Sequence, residues 1–185
     1  MKLFHGTYEK TVPIIKPGEF AMSGNNVFDG LFASPERDIA AIHGNTVFIY
    51  HVDDNKIAKS RDLDARFQEV YAFLHNELDT ADVEEIADRV MWDNNSDIED
   101  FADILSPRLG SDINGAYSWE LQRLRGRVAA YLGFDAIEMN DEYGTSYLIG
   151  KRLVRTVLIF TESSDQLSRA TDRVPGLPAS PGYVQ

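Results

Sequence analysis

The chain has 185 residues, 43% of them hydrophobic, which suffices for one buried core and makes a single domain the default. It has no cysteine, so disulfide frameworks, thiolate metal sites and cysteine nucleophiles are excluded. With 18 basic against 30 acidic side chains the net charge is -12; this repels phosphate backbones, argues against direct nucleic-acid binding and favours basic partners.

The start, MKLFHGTYEKTVPII, holds no continuous apolar stretch of signal-peptide type, and no run is long enough to span a bilayer. The expectation is a soluble, cytoplasmic protein. KLFH reads as a first strand that runs into His5, Gly6 and Thr7, and KPGEF as a turn. GLFAS, residues 30–34, is a second apolar run. Ser34 then has the chemistry of an N-cap, Pro35 of a first helical residue and Glu36 of a first-turn acid, which predicts a helix over 35–43 that ends before Gly44. TVFIYHV is β-branched and aromatic and predicts a strand.

The middle of the chain is helical. DLDARFQEVYAFLHNEL places Leu63, Phe67, Val70, Tyr71, Leu74 and Leu78 on one stripe, and TADVEEIADRVMW does the same with Val83, Ile86, Val90 and Met91. IEDFADIL adds a short turn or two. SWELQRLRGRVAAYLG is a stronger helix with Leu121, Leu124, Val128 and Leu132 inward and Gly133 as its C-cap. Residues 76–103 carry eleven acids and one arginine, a pattern of a solvated face.

FDAIEM, TSYLIG and RTVLIF return to strands, with NDEYG as a connection. Three of the seven prolines fall after residue 173, and residues 164–185 read as a loose tail. The fold class is therefore α+β, with mostly antiparallel strands and a central helical block. The domain spans 1–163, with the helices as an insertion over about 56–114.

Three segments can carry chemistry. A glycine at a strand end leaves room for a flat ligand against the backbone of Gly6, while His5 and Thr7 offer hydrogen bonds to sugar hydroxyls. The helix after Ser34 would present free N–H groups and a partial positive charge, which suits a phosphate. Asp141 and Glu142, in the connection before a late strand, could hold a sugar hydroxyl and offset positive charge in a glycosyl transfer. Each segment also has a plain structural reading as a strand end, a helix cap or a turn. The remaining histidines, His43, His51 and His75, have no ligand-spaced partner, and no metal site is expected.

In this order the three segments resemble the ADP-ribosyltransferase fold of the His-Tyr-Glu group, which includes the poly(ADP-ribose) polymerases. That resemblance matches His5-Gly6-Thr7 to the group's first strand and GLFAS to its second. The group's tyrosine is replaced by Leu31 or Phe32, so Phe32 and His43 become the rings available to nicotinamide. Its glutamate falls near Ser146, which leaves the acid role to Asp141 or Glu142. Residues 118–149 are similar throughout to phage anti-CRISPR ADP-ribosyltransferases that act on type I-F Cascade, including the Asp-Glu-x-Gly-Thr loop.

The resemblance implies an NAD-dependent mono-ADP-ribosyltransferase. Nicotinamide would pair with the Gly6 backbone, His5 would bind the adenine-side ribose, and Thr7 and Ser34 would line the site. Asp141, with Glu142, would bind the other ribose. The implied partner is the large subunit of Cascade, at the surface that reads the PAM. Two readings compete: a non-catalytic acidic mimic of DNA, and a transferase toxin with another host target.

Overall fold

The computed structural model describes residues 1–15, 29–78, 80–105, 117–141 and 144–150, and the backbone of 158–161. β1 (Lys2–Thr7) and β3 (Thr46–His51) pair antiparallel, with His5 opposite Phe48 and Gly6 opposite Val47. β7 (Leu158–Thr161) pairs with the far side of β3, giving the sheet order β1-β3-β7. A second sheet runs β2-β6-β5-β4, built from β2 (Gly30–Ala33), β6 (Gly144–Gly150), β5 (Ala136–Asp141) and β4 (Ile57–Ala58). Among the described residues all pairings are antiparallel except β4 with β5.

Alternation along the strands makes two cores. Leu3, Leu31, Ala33, Phe48, Tyr50, Ala136, Tyr147 and Ile149 fill one cluster joining the two sheets. On the opposite face of the second sheet, Ile137, Met139 and Leu148 meet the helices. These are α2 (Ser60–Asp64), α3 (Phe67–Glu77), α4 (Val83–Trp92), α5 (Ala102–Leu105) and α6 (Tyr117–Tyr131). Leu63, Val70, Leu74, Val83, Ile86, Val90, Leu121, Leu124 and Val128 are fully buried there. Each contributes on the order of 1.5–3 kcal/mol relative to exposure, which is how a run so rich in acids stays folded. The small helix α1 (Arg37–Ile42) packs instead on β1 and β3.

Four expectations change in detail. The stripe from Leu63 to Leu78 packs in one core, but its helix is split into α2 and α3 at Arg66, whose side chain bonds the Leu132 carbonyl and Glu69. The helical insertion expected over 56–114 opens with β4, a two-residue strand too short to leave a pattern in the sequence. The NDEYG connection is tighter than a loop: β5 runs through Asp141, which pairs with Gly144. Gly144 takes a positive φ of 108°, a conformation glycine reaches without a Cβ clash.

The last correction concerns Ser34. Its backbone N–H and C=O exchange bonds of 2.8 Å with Phe4, so it extends β2 instead of capping a helix. Its Oγ accepts the Glu36 N–H at 3.0 Å, a local turn that delays α1 to Arg37. The helix then has only six residues, and no side chain caps it. The expected tail, 164–185, lies outside the described residues, as does Glu142.

Candidate active site

The bonds between Phe4 and Ser34 are the only bridge between β1 and β2 among the described residues. Backbone groups on one strand edge recur every second residue, so the N–H and C=O of Gly6 face the same edge as those of Phe4. The register puts Phe32 opposite Gly6, yet no backbone pair forms there. The Phe32 carbonyl is taken instead by the His5 side chain, with Nδ1 at 2.6 Å. A carbonyl only accepts, so Nδ1 carries the proton and the neutral ring presents Nε2 as a bare acceptor.

That acceptor is buried and has no hydrogen-bond partner. Burial holds the imidazole below its ordinary value of 6.5; the Phe32 carbonyl opposes this, and nearby His43 adds to it. His5 is thus a neutral imidazole at a split in the sheet, with one nitrogen anchored and the other available to a hydroxyl donor.

Gly6 has a second reason to be glycine. A Cβ there would stand 1.7 Å from the Ala40 carbonyl oxygen, so α1 could not approach β1. That carbonyl also accepts the His43 N–H at 3.1 Å, and His43, exposed at the end of α1, is held beside the same strand. Thr7 is buried at 4% exposure, and its Oγ1 accepts the Glu9 N–H at 3.2 Å.

The Phe32 ring lies on the helical side of the sheet. It packs on the helical core and meets Trp119 of α6 edge-on, centroids 6.1 Å apart. Trp119 remains 39% exposed. It is a ring beside this segment that the sequence reading missed; its only signal was an aromatic residue off the buried stripe of α6.

Asp141 closes the neighbouring hairpin, exposed at the end of β5. The registers place His5 level with Ala33, Tyr147 and Glu138, so Asp141 lies three residues further along β5. That is about 10 Å along the strands and three strand spacings, roughly 14 Å, across them. His5, Gly6, Ser34 and the Phe32 carbonyl are therefore brought together, and Asp141 stands at a distance suited to another part of an extended ligand. Ser146, where the wider group carries its glutamate, is buried with an unpartnered Oγ. No group of three or more His, Asp or Glu placed to hold a metal occurs among the described residues.

Two strands parted beside a His-Gly pair, with an acid on the next hairpin, make this an ADP-ribosyltransferase-like fold. The family model described as Anti-CRISPR Type I-F ADP-ribosyltransferase AcrIF11 matches residues 1–157. A solved structure, "Crystal structure of an anti-CRISPR protein", is similar at 29% identity and a TM-score of 0.56 over 86% of this chain and 95% of that one. A search of curated proteins gives no match. The chain belongs to the type I-F anti-CRISPR ADP-ribosyltransferases. It is accordingly an NAD-dependent transferase directed at the type I-F CRISPR system, with NAD as donor substrate.

Proposed function

We propose that the split between β1 and β2 receives NAD, and that the chain transfers its ADP-ribosyl group to the large subunit of type I-F Cascade, in the cytoplasm of the host cell. The observation that carries the site is the unpartnered Nε2 of His5 beside the unpaired edge of Gly6. A bare imidazole nitrogen calls for a hydroxyl donor, and the adenine-side ribose supplies one. The N–H and C=O of Gly6 match the carboxamide of nicotinamide, which also needs one acceptor and one donor. Thr7 ends this strand and Ser34 bridges to it, while the Phe32 carbonyl fixes His5 and the exposed His43 lies beside Gly6.

NAD supplies the ADP-ribosyl group, and nicotinamide is the group that leaves. Asp141, with Glu142 beside it, would hold a hydroxyl of the nicotinamide-side ribose and offset the positive charge that develops at its anomeric carbon. Asp141→Ala is expected to lower transfer by two to three orders of magnitude, about the effect of losing one dominant charge-stabilising group. Folding should be intact, because the side chain is exposed. Radiolabelled NAD with purified Cascade measures this, and wild-type rates in the variant would contradict the assignment.

The target assignment rests on charge as well as family. A surface that reads duplex DNA is basic, and a chain of net charge -12 is steered to it. Attaching an ADP-ribosyl group there adds bulk and two phosphates where DNA phosphate must approach. Residues 1–163 would form the transferase domain and 164–185 its tail.

A further inference from the structure

The acidic run over 76–103 is a solvated surface with one exception among the described residues. Asp82, Glu84, Glu85, Asp88, Asp97, Glu99, Asp100 and Asp103 are exposed and Glu77 is half-buried, whereas Asp93 is only 7% exposed. Asp93 ends α4 in a left-handed conformation (φ 53°, ψ 44°), which turns its carboxylate toward β5. Its Oδ2 accepts the Asn140 N–H at 2.6 Å.

That bond has a particular place in the sheet. β6 occupies one edge of β5, and β4 covers the other only at Ala136 and Ile137. Beyond them the outer edge of β5 presents the Glu138 carbonyl and the Asn140 N–H, and among the described residues no strand covers either. Arg125 of α6, 2% exposed, donates to that carbonyl from Nη2 at 3.0 Å and Nε at 3.2 Å. Its Nη1 donates to the Val90 and Met91 carbonyls at the end of α4, both at 2.6 Å. One cation and one anion therefore do along this edge what a neighbouring strand would do: a donor for the carbonyl, an acceptor for the amide.

We propose that Asp93 is a positioning residue for Asp141: its bond to the Asn140 N–H, backed by Arg125, replaces the missing strand along β5 and fixes the end from which Asp141 projects. This rests on the reading of Asp141 as the catalytic acid. Nothing in the composition of the run distinguishes Asp93 from its acidic neighbours; among the described residues its burial does.

The test is steady-state transfer from NAD to type I-F Cascade by the full chain. Asp93→Ala is expected to lower kcat on the order of 10–100-fold with KM for NAD unchanged, the scale of a small misplacement of a reacting group. Asp93→Asn should recover most of that loss, because its carboxamide oxygen accepts the same bond. Asn140→Pro deletes the donor instead and should reproduce the loss; it decides the matter if Asp93→Ala does not fold. Leu74→Ala, in the same helical block but away from β5, controls for stability. Unchanged kcat in folded Asp93→Ala or Asn140→Pro overturns the proposal. So does an equal loss in Leu74→Ala at the same folded fraction. Wild-type activity in Asp141→Ala would overturn the catalytic reading itself; an inactive Asp141→Ala beside a fully active Asp93→Ala would remove only the positioning role.

Discussion

His5 shows how much a single residue type can and cannot tell. Its place at the end of the first apolar run, next to Gly6, is visible in the sequence and points to a site. Which nitrogen is free is not, because the partner of Nδ1 is a main-chain carbonyl 27 residues away, at Phe32. The lowered pKa has a consequence for stability. The folded ring binds its proton less readily than the unfolded one, so His5 contributes in full above the unfolded value of 6.5, and the contribution is lost as pH falls below it toward the folded value. Urea denaturation across that range should show wild-type stability falling with acid, and the fall should be shallower in His5→Gln. Parallel curves would contradict a buried, neutral His5. Gly6 was read as room for a ligand, and the structure adds the Ala40 carbonyl, which occupies the space of its absent Cβ. Ser34 was read as a helix cap from its company with Pro35 and Glu36; its backbone is claimed by Phe4, a contact between distant segments that local sequence chemistry cannot express.

Among the elements, those with a long apolar period were legible and those defined by pairing were not. The stripes of α3, α4 and α6 and the runs of β1, β2, β3 and β6 stand in the sequence because each buries one face or two. β4 has only two residues, and the parallel pairing with β5 that defines it depends on the whole fold. The join between α4 and β5 depends on Arg125, an arginine inside a helix that the sequence offers as one more surface charge. It is 2% exposed, and burial lowers its pKa while Asp93 and Glu138 pull it back. Arg125→Met would leave the Val90, Met91 and Glu138 carbonyls short of donors. A loss of about 1–3 kcal/mol is expected for each buried carbonyl left without a donor. Arg125→Lys should restore only part of it, since an ammonium cannot make the same fork of bonds. Chemical denaturation reads both values, and a near-neutral Arg125→Met would contradict the role given to this residue.

At the scale of the molecule, the split sheet offers the proposed donor site, and the helices spend their apolar side chains on the back of β5 and β6 while turning most of their acids outward. The reaction was legible through the dense resemblance over residues 118–149 and through the His-Gly and GLFAS segments, and the family match over residues 1–157 bears it out. The separation between His5 and Asp141 was not legible, because it follows from strand registers that join segments more than a hundred residues apart. Among the described residues the helical block carries most of the exposed acids, on which the proposed steering toward a basic target rests. The most direct measurement is intact-mass spectrometry of type I-F Cascade incubated with the chain, with and without NAD. One added ADP-ribosyl group is expected on the large subunit, only when NAD is present and absent with Asp141→Ala. An unmodified large subunit whose DNA binding is nevertheless blocked without NAD would contradict it.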